Sequence, residues 1–166
     1  YCIGLKDDGT GVMGEKYAEK ELLFELCLEL LCGENSDFYK DLYREGVINS
    51  SFDKEYNGST NFSLCVLSGQ GNHPDLVYEK LCTYMERLSK GGIQQEAYEN
   101  CVKSLYGRRV SAYNTIEGIA HRLISCYFRK VEPFQPLESF QNLNRAKVQE
   151  FYDRHFRREL TALSVI

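Results

Sequence analysis

Between Met13 and Gly33 the chain reads MGEKYAEKELLFELCLELLCG, and this stretch constrains the fold most. Tyr17, Leu22, Leu23, Leu26, Cys27, Leu30 and Leu31 fall on a wide apolar face at helical period, and Gly33 supplies the stop. A face that broad belongs to a core helix, so the rest of the chain has to supply layers that cover it. Glu25 and Glu29 interrupt the apolar run well before bilayer length, which argues against a membrane span. Glu21, Glu25 and Glu29 stand in line, four residues apart. A carboxylate line serves di-metal bundles only together with Glu-x-x-His pairs, which this helix lacks, so it reads as a narrow solvated stripe.

The flanks supply candidate layers. YCIGLK alternates as a strand and is closed by the turn DDGTG. After Gly33, the segment GENSDFYKDLYREG reads as a short helix: Ser36 as N-cap, Asp37 at the positive end, Phe38, Tyr39, Leu42 and Tyr43 as its apolar face, and Gly46 as terminator. The period then changes to two. SFDKEY puts Phe52, Lys54 and Tyr56 on one face, Asn57-Gly58 offers a hairpin turn, and Phe62, Leu64 and Val66 alternate on the returning strand.

A helix from about Pro74 to Lys90 turns Val77, Leu81, Tyr84, Met85 and Leu88 inward. Another follows Gly91-Gly92 with Ala97, Cys101, Val102 and Leu105 as its stripe. A further one begins at Asn114 or Thr115 and carries Ile116, Ile119, Ala120, Leu123, Ile124 and Tyr127. Pro133 and Pro136 break the pattern before a short helical piece; Asn144 caps a last helix, and ELTALSVI closes as a strand. The order predicts an α+β fold: an antiparallel-rich sheet packed on one side by several helices. Tyr1 opens in mid-strand and SVI ends in one, so the segment reads as a piece of something longer.

At 166 residues with 43% hydrophobic content, one domain with one sizeable core is expected. The net charge of −4 and the absence of a long basic cluster argue against nucleic acid as a partner. Residues 1–72 hold 13 acids against 6 bases, and residues 73–166 hold 11 against 14, so one half is acidic and the other mildly basic. Seven cysteines, an odd number with no C-x-x-C pair and several on apolar faces, point to a reducing compartment, and a cytoplasmic location is expected.

No motif for chemistry is complete. His73, His121 and His155 lack partners at the spacing of H-E-x-x-H or H-x-x-E-H, so no metal site is expected within these residues. No cysteine stands in a turn with a placed base, which leaves a cysteine hydrolase as a remote third reading. SGQG at Ser68–Gly71 lacks the Lys and Ser/Thr of a phosphate loop, and RRVS at Arg108–Ser111 is too short to specify a kinase site.

GENSDFYKDLYREGVI, the two strands after it, and HPDLVYEKLCTYMERLSKGGIQQEAYENCVKSLYGRRVSAYNTIEGIAHRL together resemble the non-catalytic half-domains of the pitrilysin/insulinase zinc peptidases. These are the inverzincins that include mitochondrial processing peptidase. Gly33, Ser36, Phe38, Leu42, Arg44, Glu45 and Gly46 approximate one family segment; Gly92, Ile93 and Glu96 fit the breaker and acidic helix start of another. The resemblance covers nearly the whole chain. It implies a processing-peptidase-like (LuxS-like) metallohydrolase fold, with residues 1–166 forming one domain of a larger two-domain metallopeptidase. The implied function is that of an inactive half of a zinc metalloendopeptidase, enclosing peptide substrate against a homologous half-domain, in the same or another chain, that carries H-x-x-E-H and the zinc.

This segment then has no catalytic residue, no metal ligand and no cofactor of its own. Many second halves supply an Arg and, a fixed distance beyond it, a Tyr to the substrate. Arg44 is the matching cation, the strict spacing falls on Ser51, and Tyr56 is the next tyrosine; Arg44 and Tyr56 are the substrate-binding candidates. The alternative is a non-enzymatic binding or assembly module sharing the fold.

Overall fold

The computed structural model describes every residue except Asp8, Thr10, Thr60 and Ile166. In chain order it contains β1 (Cys2–Lys6), α1 (Glu15–Cys32), α2 (Asp37–Arg44), β2 (Asp53–Gly58), β3 (Ser63–Ser68), α3 (Pro74–Gly91), α4 (Gln95–Ser111), α5 (Ile116–Arg129), α6 (Gln135–Glu138), α7 (Arg145–His155) and β4 (Thr161–Ser164). The four strands form one sheet in the order β2-β3-β1-β4, antiparallel throughout. Part of the DDGTG turn expected after β1 lies outside the described residues.

Sheet register follows from burial. Ile3 lies opposite Leu67 and Leu163, and Leu5 opposite Cys65 and Thr161. A slip of one residue would send Ile3, Leu5, Cys65 and Leu67, all buried, to the other face. That other face carries Gly4, Val66 and Ala162, and none of its described residues is buried. The helices therefore cover one side of the sheet, as the expected α+β arrangement requires. On β3 the inward residues are Cys65 and Leu67, whereas Leu64 and Val66 point away. The hairpin also differs from expectation. β2 runs through Asn57 and Gly58, which pair with Leu64 and Ser63, and the chain turns one step later, where the Ser59 amide donates to the Phe62 carbonyl at 2.8 Å.

α1 is the central helix, with ten buried residues among them Leu22, Phe24, Leu26 and Cys27. Each fully buried Leu or Phe contributes about 1.5–3 kcal/mol relative to exposure, so this helix organises the core. Phe24 stacks on Tyr56 of β2 at 4.4 Å and meets Phe151 of α7 edge-on at 4.8 Å. Gly33 ends the helix in an extended conformation; a Cβ there would come within 2.5 Å of the Glu29 carbonyl, so close approach is what demands glycine.

The caps follow the sequence. Ser36 accepts from the Tyr39 amide, Thr115 from Gly118 and Asn144 from Lys147. The apolar stripes follow it less well. On α4 Leu105 is buried and Cys101 and Val102 pack against the core as expected, but Ala97 is exposed and Tyr98 and Arg109 are buried instead. On α5 Cys126 alone is buried, and Ile116, Ile119, Leu123, Ile124 and Tyr127 face solvent.

Candidate functional site

The glutamate line on α1 is not a solvated stripe. Later helices lay arginines along it. Arg109 of α4, 5% exposed, donates to Glu25 Oε2 at 2.8 Å and to the Pro136 carbonyl at 2.9 Å. Arg129 of α5 donates to Glu21 Oε1 at 3.1 Å. Arg108 reaches Glu29 Oε2 at 2.9 Å, and Lys54 of β2 approaches the same oxygen at 3.4 Å. Helical spacing within α1 contains no information about partners 79 to 108 residues away in sequence, which is why the pattern misled. Burial raises the Glu21 carboxyl above the usual range and neighbouring Glu25 adds to the rise, against the pull of Arg109 and Arg129.

Beside this row lies a cleft of about 420 Å³, walled by α1, α4 and β2, with Arg122 of α5 at its side. Its lining is apolar at Leu28 and Leu105 and charged at Glu25, Glu29, Asp53 and Glu55 and at Lys54, Arg108, Arg109 and Arg122. Most of these charges are already paired. Arg122 forms no ion pair within 4 Å among the described residues. β2 stands at the end of the sheet and, among the described residues, pairs with β3 alone, so its outer backbone edge is a template for an added extended chain.

Tyr56 lines this cleft. Its ring is held on Phe24, and its hydroxyl lies 2.6 Å from Ser63 Oγ; burial raises its pKa. Arg44 stands elsewhere, 77% exposed in the last turn of α2, with Asp41 at 3.5 Å. No hydrogen bond or ion pair joins Arg44 to Tyr56 among the described residues, and Arg44 is not part of the cleft wall.

A second polar cluster escaped the sequence reading. Asp7, at the end of β1, is buried; it is ion-paired with Lys20 and accepts from Ser63 Oγ at 2.6 Å and from the Gly9 amide at 3.0 Å. Burial alone would raise its carboxyl, but the Lys20, Ser63 and Gly9 hydrogen bonds outweigh it and hold the carboxyl below the usual range. His155 Nδ1 lies 3.6 Å from the same carboxylate, and burial lowers its pKa. Serine, histidine and aspartate are thus close together without forming a triad, because Ser63 donates to Asp7 and not to His155. The cluster fastens β1 and β3 to α1 and α7.

Nucleophilic thiols are equally ill-placed. Burial pushes Cys32 up to about 12 and Cys101 up to about 11, and it raises Cys27 and Cys65 as well. No group of three His, Cys, Asp or Glu among the described residues could hold a metal ion. The α1 carboxylates that a zinc site would recruit are committed to basic side chains, and among the described residues no histidine pairs with them, so the residues present do not fit zinc. No described helix is long and apolar enough to cross a membrane.

No family profile matches the chain. It is, however, 26% identical over 147 residues to the zinc protease YmfH of Bacillus subtilis, an overlap covering 89% of this chain and 34% of YmfH. Its structure is similar to an M16-like peptidase from Alicyclobacillus acidocaldarius, with a TM-score of 0.90 and 22% identity over 97% of this chain and 38% of that one. It is also similar to the inactive peptidase domain of a zinc protease from Bordetella parapertussis, with a TM-score of 0.75 and 14% identity over 97% of this chain and 87% of that one. The chain is thus similar in sequence to a zinc protease, and its fold is that of M16 peptidase domains, an inactive one among them. The chain spans about a third of the length of YmfH and of the Alicyclobacillus peptidase.

Proposed function

We propose that this chain is the non-catalytic half of a two-domain zinc metalloendopeptidase, enclosing peptide substrate against a homologous half-domain that carries the zinc. The observation that supports it best is the cleft beside the open edge of β2, present in a chain whose own residues do not fit a metal. An extended peptide would pair its backbone with β2, rest on Leu28 and Leu105, and offer a carboxylate to Arg122. Tyr56 forms the wall of this site; Arg44, on α2, would touch substrate outside the cleft. Enclosure admits extended chains and rejects folded ones, and the cutting chemistry belongs to the partner. The seven free cysteines fit a reducing cytoplasm, where they stay thiols.

Hydrogen exchange tests the peptide site. Adding an unstructured acidic peptide to the assembled protein should slow exchange at residues 53–58, and Arg122→Ala should weaken binding. Binding that leaves those amides unchanged rejects β2 as the peptide edge. The other reading, a non-enzymatic assembly module, gains support from the solvent-facing apolar side of α5. It prevails if neither the complete coding sequence nor a co-purifying chain contains H-x-x-E-H.

A further inference from the structure

The two faces of β2 carry opposite charges. Lys54 and Tyr56 pair with Leu67 and Cys65, which are buried under the helices, whereas Glu55 pairs with Val66 on the open face of the sheet. Alternation along a strand puts Asp53 on that open face beside Glu55, and both are exposed. Neither forms an ion pair among the described residues.

The helix side of the cleft has the other sign. Along the α1 carboxylates Glu21, Glu25 and Glu29 stand Lys54, Arg108, Arg109, Arg122 and Arg129, so cations outnumber acids there. Lys54 and Arg108 share Glu29, Arg109 and Arg129 take up Glu25 and Glu21, and Arg122 is left over among the described residues. Arg122 lies two turns before Arg129 on the same, body-facing side of α5 and is half-buried. It is a cation turned into the cleft with nothing to neutralise it.

These charges select what can add to the free edge. A second copy of this chain, continuing the sheet with its helices on the same side, would oppose Lys54 to Lys54 or Glu55 to Glu55 when centred on either residue. Like charges directly opposite destabilise a strand pair. A peptide avoids that clash when its helix-facing side chains are acidic and those between them are not, and in an extended chain every second residue faces the same way.

Resting on the peptide-edge reading above, we propose that the β2 cleft selects peptides with acidic residues at alternate positions. One carboxylate faces Arg122, a second faces Lys54 and Arg108, and Asp53 and Glu55 repel an acid placed between them. Selection is by position and not by net charge, since a peptide with the same two acids side by side must turn one of them toward Asp53 and Glu55.

The test uses the assembled protein with a chelator present, so that bound peptide stays whole. Short unstructured peptides of otherwise identical sequence carry Glu-Ser-Glu, Glu-Glu-Ser or Gln-Ser-Gln at their centre, and fluorescence anisotropy reads their affinities. Glu-Ser-Glu should bind tighter than Gln-Ser-Gln by on the order of tenfold and tighter than Glu-Glu-Ser by about threefold. Arg122→Gln should remove most of the preference for Glu-Ser-Glu and leave Gln-Ser-Gln unchanged, while Arg122→Lys should keep part of it. Glu55→Gln should narrow the gap between Glu-Ser-Glu and Glu-Glu-Ser. Equal affinities for all three peptides, with exchange at residues 53–58 still slowed, overturn the selection and leave the peptide edge standing. Equal binding of the two acidic peptides overturns the alternation, and a preference undiminished by Arg122→Gln overturns the assignment of Arg122. Binding that slows no amide at 53–58 with any peptide overturns both readings.

Discussion

α1 and α5 are written in nearly the same language and live in different surroundings. Both carry apolar residues at helical spacing; α1 buries ten of its 18 residues and α5 one of its 14. Their polar residues diverge too. The α1 glutamates are covered by arginines from α4 and α5, while Arg122 of α5 is left without an ion pair among the described residues. Periodicity announces a face that needs cover. Whether the cover lies in the same chain is a property of the whole assembly.

The sharpest way to break this contrast is to truncate both faces in the isolated chain. Phe24→Ala should cost about 3–5 kcal/mol in urea unfolding, because Phe24 is fully buried against Tyr56 and Phe151. Leu123→Ala should stay within about 0.5 kcal/mol, and a cost of 2 kcal/mol or more, the scale of a large-to-small core substitution, would mean that α5 is packed after all. Arg109→Ala comes next, at about 2–4 kcal/mol, less than for a fully buried pair because Glu25 is a third exposed. A loss under about 0.5 kcal/mol would restore the solvated-stripe reading of the α1 glutamates. Ser36→Ala should cost about 1 kcal/mol through the lost cap at Tyr39, measured by the same denaturation curves.

A subtler effect concerns pH. The folded pKa of His155 is lowered, so the unfolded chain takes up its proton first, near pH 6.5, and binds more protons than the folded one just below that. Its contribution is fully present above pH 6.5 and is lost as pH falls toward the folded value. His155→Asn should flatten the decline in thermal midpoint over that window; an unchanged slope would remove His155 from the account. The smallest effect is expected at Arg154→Ala on the exposed α7 surface, at most about 0.5 kcal/mol for the Glu150 pair.

Local signals in the sequence were reliable where local physics decides. Ser36 and Asn144 cap as read, the helix expected from Asn114 or Thr115 starts with Thr115 as its cap, and Gly33 ends α1, although by crowding against Glu29. Order of elements and sheet character followed from period, as did the placing of Lys54 and Tyr56 on one face of β2. What failed was long-range. The hairpin shifted past Asn57-Gly58 because pairing with β3 continues through Gly58. The pairing of the glutamate row and the burial of Arg109 depend on contacts between helices that no short window contains. The cleft was equally invisible, since its walls come from four separate elements; of the two substrate-binding candidates it includes Tyr56 and leaves out Arg44. The Asp7 cluster joins Lys20, Ser63 and His155, which lie 13, 56 and 148 positions beyond Asp7, and gave no motif.

The account stands or falls on turnover of a quenched, unstructured peptide by the zinc-carrying half, assayed with and without this chain. We expect this chain alone to cleave nothing with zinc supplied, the zinc half alone to cleave poorly, and the two together to cleave well. Zinc-dependent cleavage by this chain in isolation, or a zinc half that works equally well without it, would contradict the claim that this domain encloses the substrate and its companion does the cutting.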